Sequence, residues 1–255
     1  KGLSSAVTDA DPHEEGQPVM EVKPKDDSEE ARFTASVLNK FLKVSYEILN
    51  NLEVNKKRIE EGKFPANFIL MRGAGLYPSM PEFSQKYGLK ACCIAGGGLY
   101  KGIGAFLGMD LIHVKGATAL PDTDIKGKFT AAVKALEKYD FVFVHVKATD
   151  SLAEDGNPVG KKEFIERIDK ELGIFLDLPR DTLLVMAADH STACELKAHS
   201  ADPVPVAFCC ESIRADDVCT YGERSFAKGG LGFIEGKDIM PHILNIMGRL
   251  HLIGA

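Results

Sequence analysis

Asp181-Thr-Leu-Leu-Val-Met-Ala-Ala-Asp189-His190-Ser191-Thr192 is the stretch on which the reading of this chain turns. After Asp181 the next seven residues are apolar or β-branched and too few for a typical helix, so they predict a buried strand. That strand delivers Asp189 and His190 to its carboxyl end. Ligands of open α/β sheets collect at this edge, because the loops there vary while the strands hold them in place. His199 follows shortly after. A carboxylate and two imidazoles are the mixed oxygen and nitrogen donors that Zn or Mn sites use. The plainer alternative makes Asp189 a cap of the following segment and leaves both histidines on a polar surface. For a lone histidine that alternative would prevail, whereas Asp-His at a strand end with a third donor close behind favours a metal.

Bulk composition narrows the class. With 255 residues, 45% of them hydrophobic, the chain can build one large or two small domains with real cores. The net charge is −6 and the Lys and Arg residues are scattered rather than striped, which argues against nucleic acid as a partner. No apolar run reaches bilayer length, and Lys1-Gly-Leu-Ser-Ser lacks the charged-then-apolar order of a signal peptide, so no membrane role is expected. Six cysteines include the adjacent pairs Cys92-Cys93 and Cys209-Cys210 in strand-like runs. Neighbours in a strand point to opposite faces, so the expectation is buried free thiols in a reducing cytoplasm rather than a disulfide framework.

Taken in order, residues 5–27 read as loop, after which Ser28-Glu29-Glu30 is a helix start with a capping hydroxyl and acids at the positive end. Phe33, Val37, Phe41, Val44, Ile48 and Leu52 recur at helical spacing and carry an amphipathic helix to about Val54. Lys56 to Lys63 reads as a linker or helix end. Phe68-Ile-Leu-Met is a second strand, closed by Arg72-Gly-Ala-Gly75. Glycines after a strand let backbone approach an anion and Arg72 can grip a phosphate or carboxylate, although a simple turn with a surface Arg reads equally well.

Leu89 to Ala95 forms another strand, and Gly96-Gly-Gly-Leu-Tyr-Lys101 leads into a helix through Leu107. The glycines resemble an anion cradle without the Walker A spacing, which makes Lys101 a candidate phosphate contact. Asp110 to Val114 is a short strand, and a helix covers about Ile125 to Lys138. Tyr139 to Lys147 reads as the central strand, with Asp150 beyond its carboxyl end and Glu154 and Asp155 in a following turn. Asp150 and Asp189 should emerge from the same sheet. Phe164, Ile165, Ile168, Leu172 and Phe175 mark a further helix, Pro203 to Cys210 a strand, and a closing helix starts near Asp238 with Pro241 tolerated in its first turn. Alternating strands and helices predict an α/β fold, a mainly parallel sheet with helices on both faces.

Asp11-Pro-His-Glu, Leu70-Met-Arg-Gly-Ala-Gly, Ala95-Gly-Gly-Gly-Leu-Tyr-Lys-Gly-Ile, Val146-Lys-Ala-Thr-Asp150, Ala188-Asp-His-Ser-Thr192, His199-Ser-Ala-Asp-Pro-Val-Pro and Gly229-Gly-Leu-Gly occur in that order over nearly the whole chain. Together they resemble the archaeal-type cofactor-independent phosphoglycerate mutases of the alkaline phosphatase superfamily. The resemblance implies an isomerase of glycolysis that interconverts 3-phosphoglycerate and 2-phosphoglycerate through a phosphoserine, with two divalent metals, Mn expected and Zn, Mg or Co as alternatives. Position by position, Asp189 and His190 resemble ligands of the nucleophile-side metal. Asp150 and His199 resemble ligands of the other, and Arg72 and Lys101 resemble groups that neutralise the substrate. Asp11 and His13 match a motif without a derivable role.

Two departures stand out. Four residues after Asp150 the family carries a His, and here Glu154 stands there, an oxygen donor that suits Mn or Mg better than Zn. The family's amino-terminal part, with the nucleophilic Ser, is absent from this sequence. The resemblance therefore assigns residues 1–78 to part of an inserted α/β substrate-binding domain and 79–255 to the carboxyl-terminal part of the phosphatase-like domain. This chain alone is expected to be inactive until its amino-terminal segment is supplied. A metal-dependent phosphatase or phosphomutase with another substrate, or a non-catalytic homologue, is the competing expectation. Oligomeric state is not legible.

Overall fold

A computed structural model describes residues 2–250. The chain divides after Ser79 into two compact units, each with its own apolar core.

In the first unit, Ser28 Oγ accepts from the Ala31 backbone N–H at 3.1 Å and starts α1 (Glu29–Asn50), with Glu29 and Glu30 in the first turn as expected. The buried face of α1 differs from the expected stripe. Ala31, Ala35 and Leu42 are buried, the latter two among Val7, Ala10 and Val22, whereas Phe33, Val37, Phe41, Val44 and Ile48 stay 42–59% exposed. The Lys56–Lys63 segment, read as a linker or helix end, contains the second half of a helix, α2 (Glu53–Glu60). Buried Asn55 anchors it, donating to the Leu49 and Ala66 carbonyls at 2.7 and 3.1 Å and accepting from Ala66 N–H at 2.8 Å. Phe68 to Met71 is not a strand. Only a single backbone bond, Ala10 N–H to the Met71 carbonyl at 2.8 Å, ties this stretch to a neighbouring segment among the described residues, too little for a ladder.

The second unit is built on β1 (Ala91–Ile94), which lies between β2 (Asp110–Leu111) and β3 (Phe141–Val144) in a parallel sheet of order β2-β1-β3. The central strand is therefore β1, not the Tyr139–Lys147 run. Cys92, Cys93 and Ile94 are at most 1% exposed, while β3 pairs on one side only among the described residues. Helices lie on both faces. On the Cys93 face, α4 (Gly98–Phe106) packs so closely that a Cβ at Gly104 would lie 2.8 Å from Cys93 Cβ, and α3 (Phe83–Tyr87) meets Phe141 there. On the Ile94 face, α5 (Ile125–Ala135) packs Ile125 and Phe129 against Val144.

Next come α6 (Ala148–Glu154) and α7 (Pro158–Glu171), which share a core of Ala148, Leu152 and Phe164. The segment that opened the sequence analysis forms β4 (Leu184–Ala187), but it pairs antiparallel with β7 (Val206–Cys209) and not with β3. Asp150 and Asp189 thus emerge from different sheets, because the second ladder available to β4 is not made to β3. Between them in sequence, β5 (Ser191–Ala193) and β6 (Ala198–Ser200) form an antiparallel hairpin. The chain continues through α8 (Glu223–Phe226) and α9 (Ile239–Ile246), with Pro241 in the first turn of α9. All six cysteines are free, Cys92 and Cys93 buried but Cys209 and Cys219 exposed. No helix among the described residues is long and apolar enough to cross a membrane.

Candidate metal centre

Helical spacing places Asp150 and Glu154 one turn apart on the same face of α6, which was expected to be a turn at this point. The hairpin supplies the facing side. Its register sets Thr192 opposite His199, and His190 lies two residues before Thr192, so all three side chains leave the same face. One donor atom each from Asp150, His190 and His199 lies within 4.8 Å of the others. His199 Nε2 is 3.4 Å from Asp150 Oδ1 and 3.7 Å from Glu154 Oε1. The His190 and His199 rings stack at 3.7 Å between centroids.

Asp189 stands at the edge of this group. Its Oδ2 is 3.6 Å from His190 Nε2 and accepts from the Tyr100 hydroxyl at 2.7 Å. Tyr100, on α4, is itself stacked on His145 at 3.3 Å. Burial pushes the Tyr100 phenol up to about 12, with the Asp189 hydrogen bond adding to it, so the hydroxyl stays a donor. For Asp189 burial raises the pKa, but hydrogen bonds from the Tyr100 hydroxyl and the backbone, with the nearby His190 and His145 rings, outweigh it and hold the carboxyl below its ordinary value. Asp150 shows the same balance. Burial works against ionisation, while Lys147 Nζ at 2.5 Å from Oδ2 and the Thr192 hydroxyl at 2.7 Å from Oδ1 keep it a carboxylate.

These ionised oxygens and unhindered imidazole nitrogens fit a divalent cation. The carboxylates are hard donors, the imidazoles suit first-row metals, and hydrogen bonds to Thr192, Tyr100 and Lys147 orient the carboxylates from outside. The three orienting residues were not singled out in sequence. All three lie within the quoted motifs; Lys147 meets Asp150 three residues along, whereas the partners of Thr192 and Tyr100 become visible only in the packed structure.

Two further candidates were named from sequence. Lys101 follows Tyr100 in α4. Arg72 belongs to the first unit, where its Nη1 is 3.8 Å from Asp11 Oδ2. There Asp9 accepts from the Gly73 N–H at 2.9 Å and His13 takes a left-handed φ of 60°. Among the glycines of the supposed cradle, Gly96 has a steric reason to be there: a Cβ would fall 1.9 Å from the Thr118 carbonyl oxygen.

Comparison with known proteins bears on the same residues. The chain is 48% identical over its whole length to 2,3-bisphosphoglycerate-independent phosphoglycerate mutase 1 of Methanocaldococcus jannaschii, and 46% identical to the corresponding enzyme of Methanosphaera stadtmanae. It spans 62% of the length of each of these curated relatives. Among solved structures, the PH0037 protein of Pyrococcus horikoshii aligns with a TM-score of 0.82 at 38% identity over 89% of this chain and 60% of that one. The cofactor-independent phosphoglycerate mutase of Thermoplasma acidophilum aligns with a TM-score of 0.64 at 31% identity, over 97% of this chain and 60% of its own. Residues 21–246, which include every donor of the cluster, match the family model described as Metalloenzyme superfamily, and the chain belongs to that superfamily.

Proposed function

We propose that this chain is the metal-binding portion of a 2,3-bisphosphoglycerate-independent phosphoglycerate mutase, an isomerase acting in the cytoplasm on 3-phosphoglycerate and 2-phosphoglycerate. The convergence of Asp150, His190 and His199 carries the reading, because it joins three of the motifs on which the resemblance rests. Asp150, Glu154 and His199 would hold one cation, Asp189 and His190 the other, with Mn the metal best suited to a donor set in which Glu154 adds an oxygen. Such cations neutralise phosphoryl charge and lower the pKa of an attacking hydroxyl.

The protein's own groups supply the rest. Arg72 and Lys101 would counter the phosphate and carboxylate of the substrate. Tyr100 holds Asp189, and Lys147 holds Asp150, each through a hydrogen bond to an oxygen. The phosphoryl group would leave one glycerate oxygen for a serine oxygen and return to the neighbouring hydroxyl. No residue of this chain is assigned as that serine.

The test measures bound metal and phosphoglycerate interconversion in added Mn2+, with this protein alone and with the portion of the Methanocaldococcus relative that it does not match supplied as a second chain or a fusion. Two bound cations per complex and turnover in the supplemented sample are expected. Hydrolysis of other phosphate esters without mutase activity would move the assignment to a metal-dependent phosphatase. Absence of both metal and turnover from the supplemented sample would leave a non-catalytic homologue.

A further inference from the structure

Thr192 is only 4% exposed, and its hydroxyl touches both halves of the donor cluster. It donates to Asp150 Oδ1 at 2.7 Å, and the same oxygen lies 3.1 Å from His190 Nδ1. A hydroxyl has one proton. Ionised Asp150 can only accept, so that proton goes to Asp150, and the contact to His190 is a hydrogen bond only if Nδ1–H donates to the Thr192 lone pair. The neutral ring then carries its proton on Nδ1 and leaves Nε2 bare. Nε2 faces Asp189 Oδ2 at 3.6 Å, where two acceptors without a proton between them repel unless a cation joins them. On the other side of Thr192, Asp150 Oδ1 faces His199 Nε2 at 3.4 Å. Thr192 is therefore the one side chain hydrogen-bonded to both the Asp150–His199 and the Asp189–His190 groups among the described residues.

The backbone around Thr192 is fixed as well. β5 is paired with β6 on one side, and Lys161 Nζ of α7 donates to the Thr192 carbonyl at 2.7 Å. The hydroxyl is thus held from three directions, which a surface threonine would not be.

We propose that Thr192 is a positioning residue that locks His190 in the Nδ1–H tautomer and couples the orientation of the two ligand groups, so that its loss weakens both cation sites together. The inference rests on the metal-binding reading above. Its first test does not, since it uses the metal-free protein: long-range 1H–15N correlation of the histidine rings at pH 8 assigns the His190 tautomer directly. Nδ1–H is expected in the parent protein and in Thr192→Ser, and a mixed or Nε2–H ring in Thr192→Val. A parental His190 that is Nε2–H overturns the proposal whether or not metal binds.

The second test is Mn2+ titration by calorimetry of the same three proteins, each supplemented with the unmatched portion of the Methanocaldococcus relative as above. Thr192→Val should lose about 10- to 100-fold in affinity at both sites, the range for removal of a group that orients a metal ligand, and Thr192→Ser should restore it. If the parent binds no Mn2+ while the tautomer is as expected, the metal assignment fails and the tautomer lock stands. If the parent binds and Thr192→Val binds equally well, the coupling role is wrong. Should Thr192→Val fail to fold, the parental tautomer and the Ser variant still decide.

Discussion

His145 lies just beyond the carboxyl end of β3, stacked between Tyr100 and Phe143. Its Nδ1 is buried and finds no hydrogen-bond partner among the described residues. Burial, chiefly, drives its pKa from 6.5 down to about 4, with Lys128 and Lys147 adding positive charge against Asp189 and Asp150. The folded protein therefore keeps this ring neutral where the unfolded chain protonates it. Above pH 6.5 both states are neutral and stability is full. As pH falls through the window between about 6.5 and 4, the unfolded chain takes up one more proton than the folded one, and stability drops by about 1.4 kcal/mol per pH unit at most. With these two pKa values the loss at pH 5 is about 2 kcal/mol relative to pH 7.

His145→Phe keeps an aromatic ring for the stack with Tyr100 and removes the titration. The assay is denaturant unfolding followed by circular dichroism, since the chain has no Trp, at pH 7, 6 and 5 for parent and variant. Other ionisable groups are common to both proteins, so the difference between their pH profiles isolates this residue. The variant should lose about 2 kcal/mol less than the parent between pH 7 and pH 5. Parallel profiles would refute the claim that the ring is buried in its neutral form.

Gly96→Ala forces a Cβ to within 1.9 Å of the Thr118 carbonyl oxygen, and it should destabilise the second unit by at least about 2 kcal/mol, measured by the same unfolding assay. An unchanged midpoint would show that the 118 loop is free to move away. Phe164→Ala empties a side chain of α7 that is 2% exposed against Ala148 and Leu152, and should cost about 3–5 kcal/mol while also weakening Mn2+ binding, because α6, the helix it packs against, presents Asp150. A large stability loss with unchanged metal affinity would separate the core from the site. Glu154→His exchanges an oxygen donor 3.7 Å from His199 Nε2 for an imidazole, and competitive titration should show the Zn2+ to Mn2+ affinity ratio rising. A constant ratio would remove Glu154 from the ligand set.

Much of the site was legible from local chemistry. The Asp189-His190 pair, Asp150 and His199 were chosen as donors from residue type and position after predicted strands and Glu154 from the family resemblance, and three of the five lie in one cluster with the other two at its margins. Ser28 announced α1, and the short parallel strands with intervening helices appeared near their expected places. Phe68 to Met71 misled because an apolar run has the composition of a strand whether or not a neighbouring backbone is present to bond it. The charged Lys56–Lys63 segment left linker and helix end both open, since the bonds from Asn55 to Ala66 that anchor α2 lie well outside the local window.

By itself the sequence determined which residues could donate to a metal, where α1 begins, and that the class is α/β. All of these are set by side-chain chemistry and by periodicity over a few residues. Tertiary structure alone decided that β1 is the central strand, that β4 pairs with β7, and that the half-exposed stripe of α1 is not the face its unit buries. It also decided that Thr192, Tyr100 and Lys147 are the groups orienting the donors. Periodicity records that a face is apolar, never which distant segment covers it, and one hydroxyl proton shared between α6 and the hairpin exists only after both have packed.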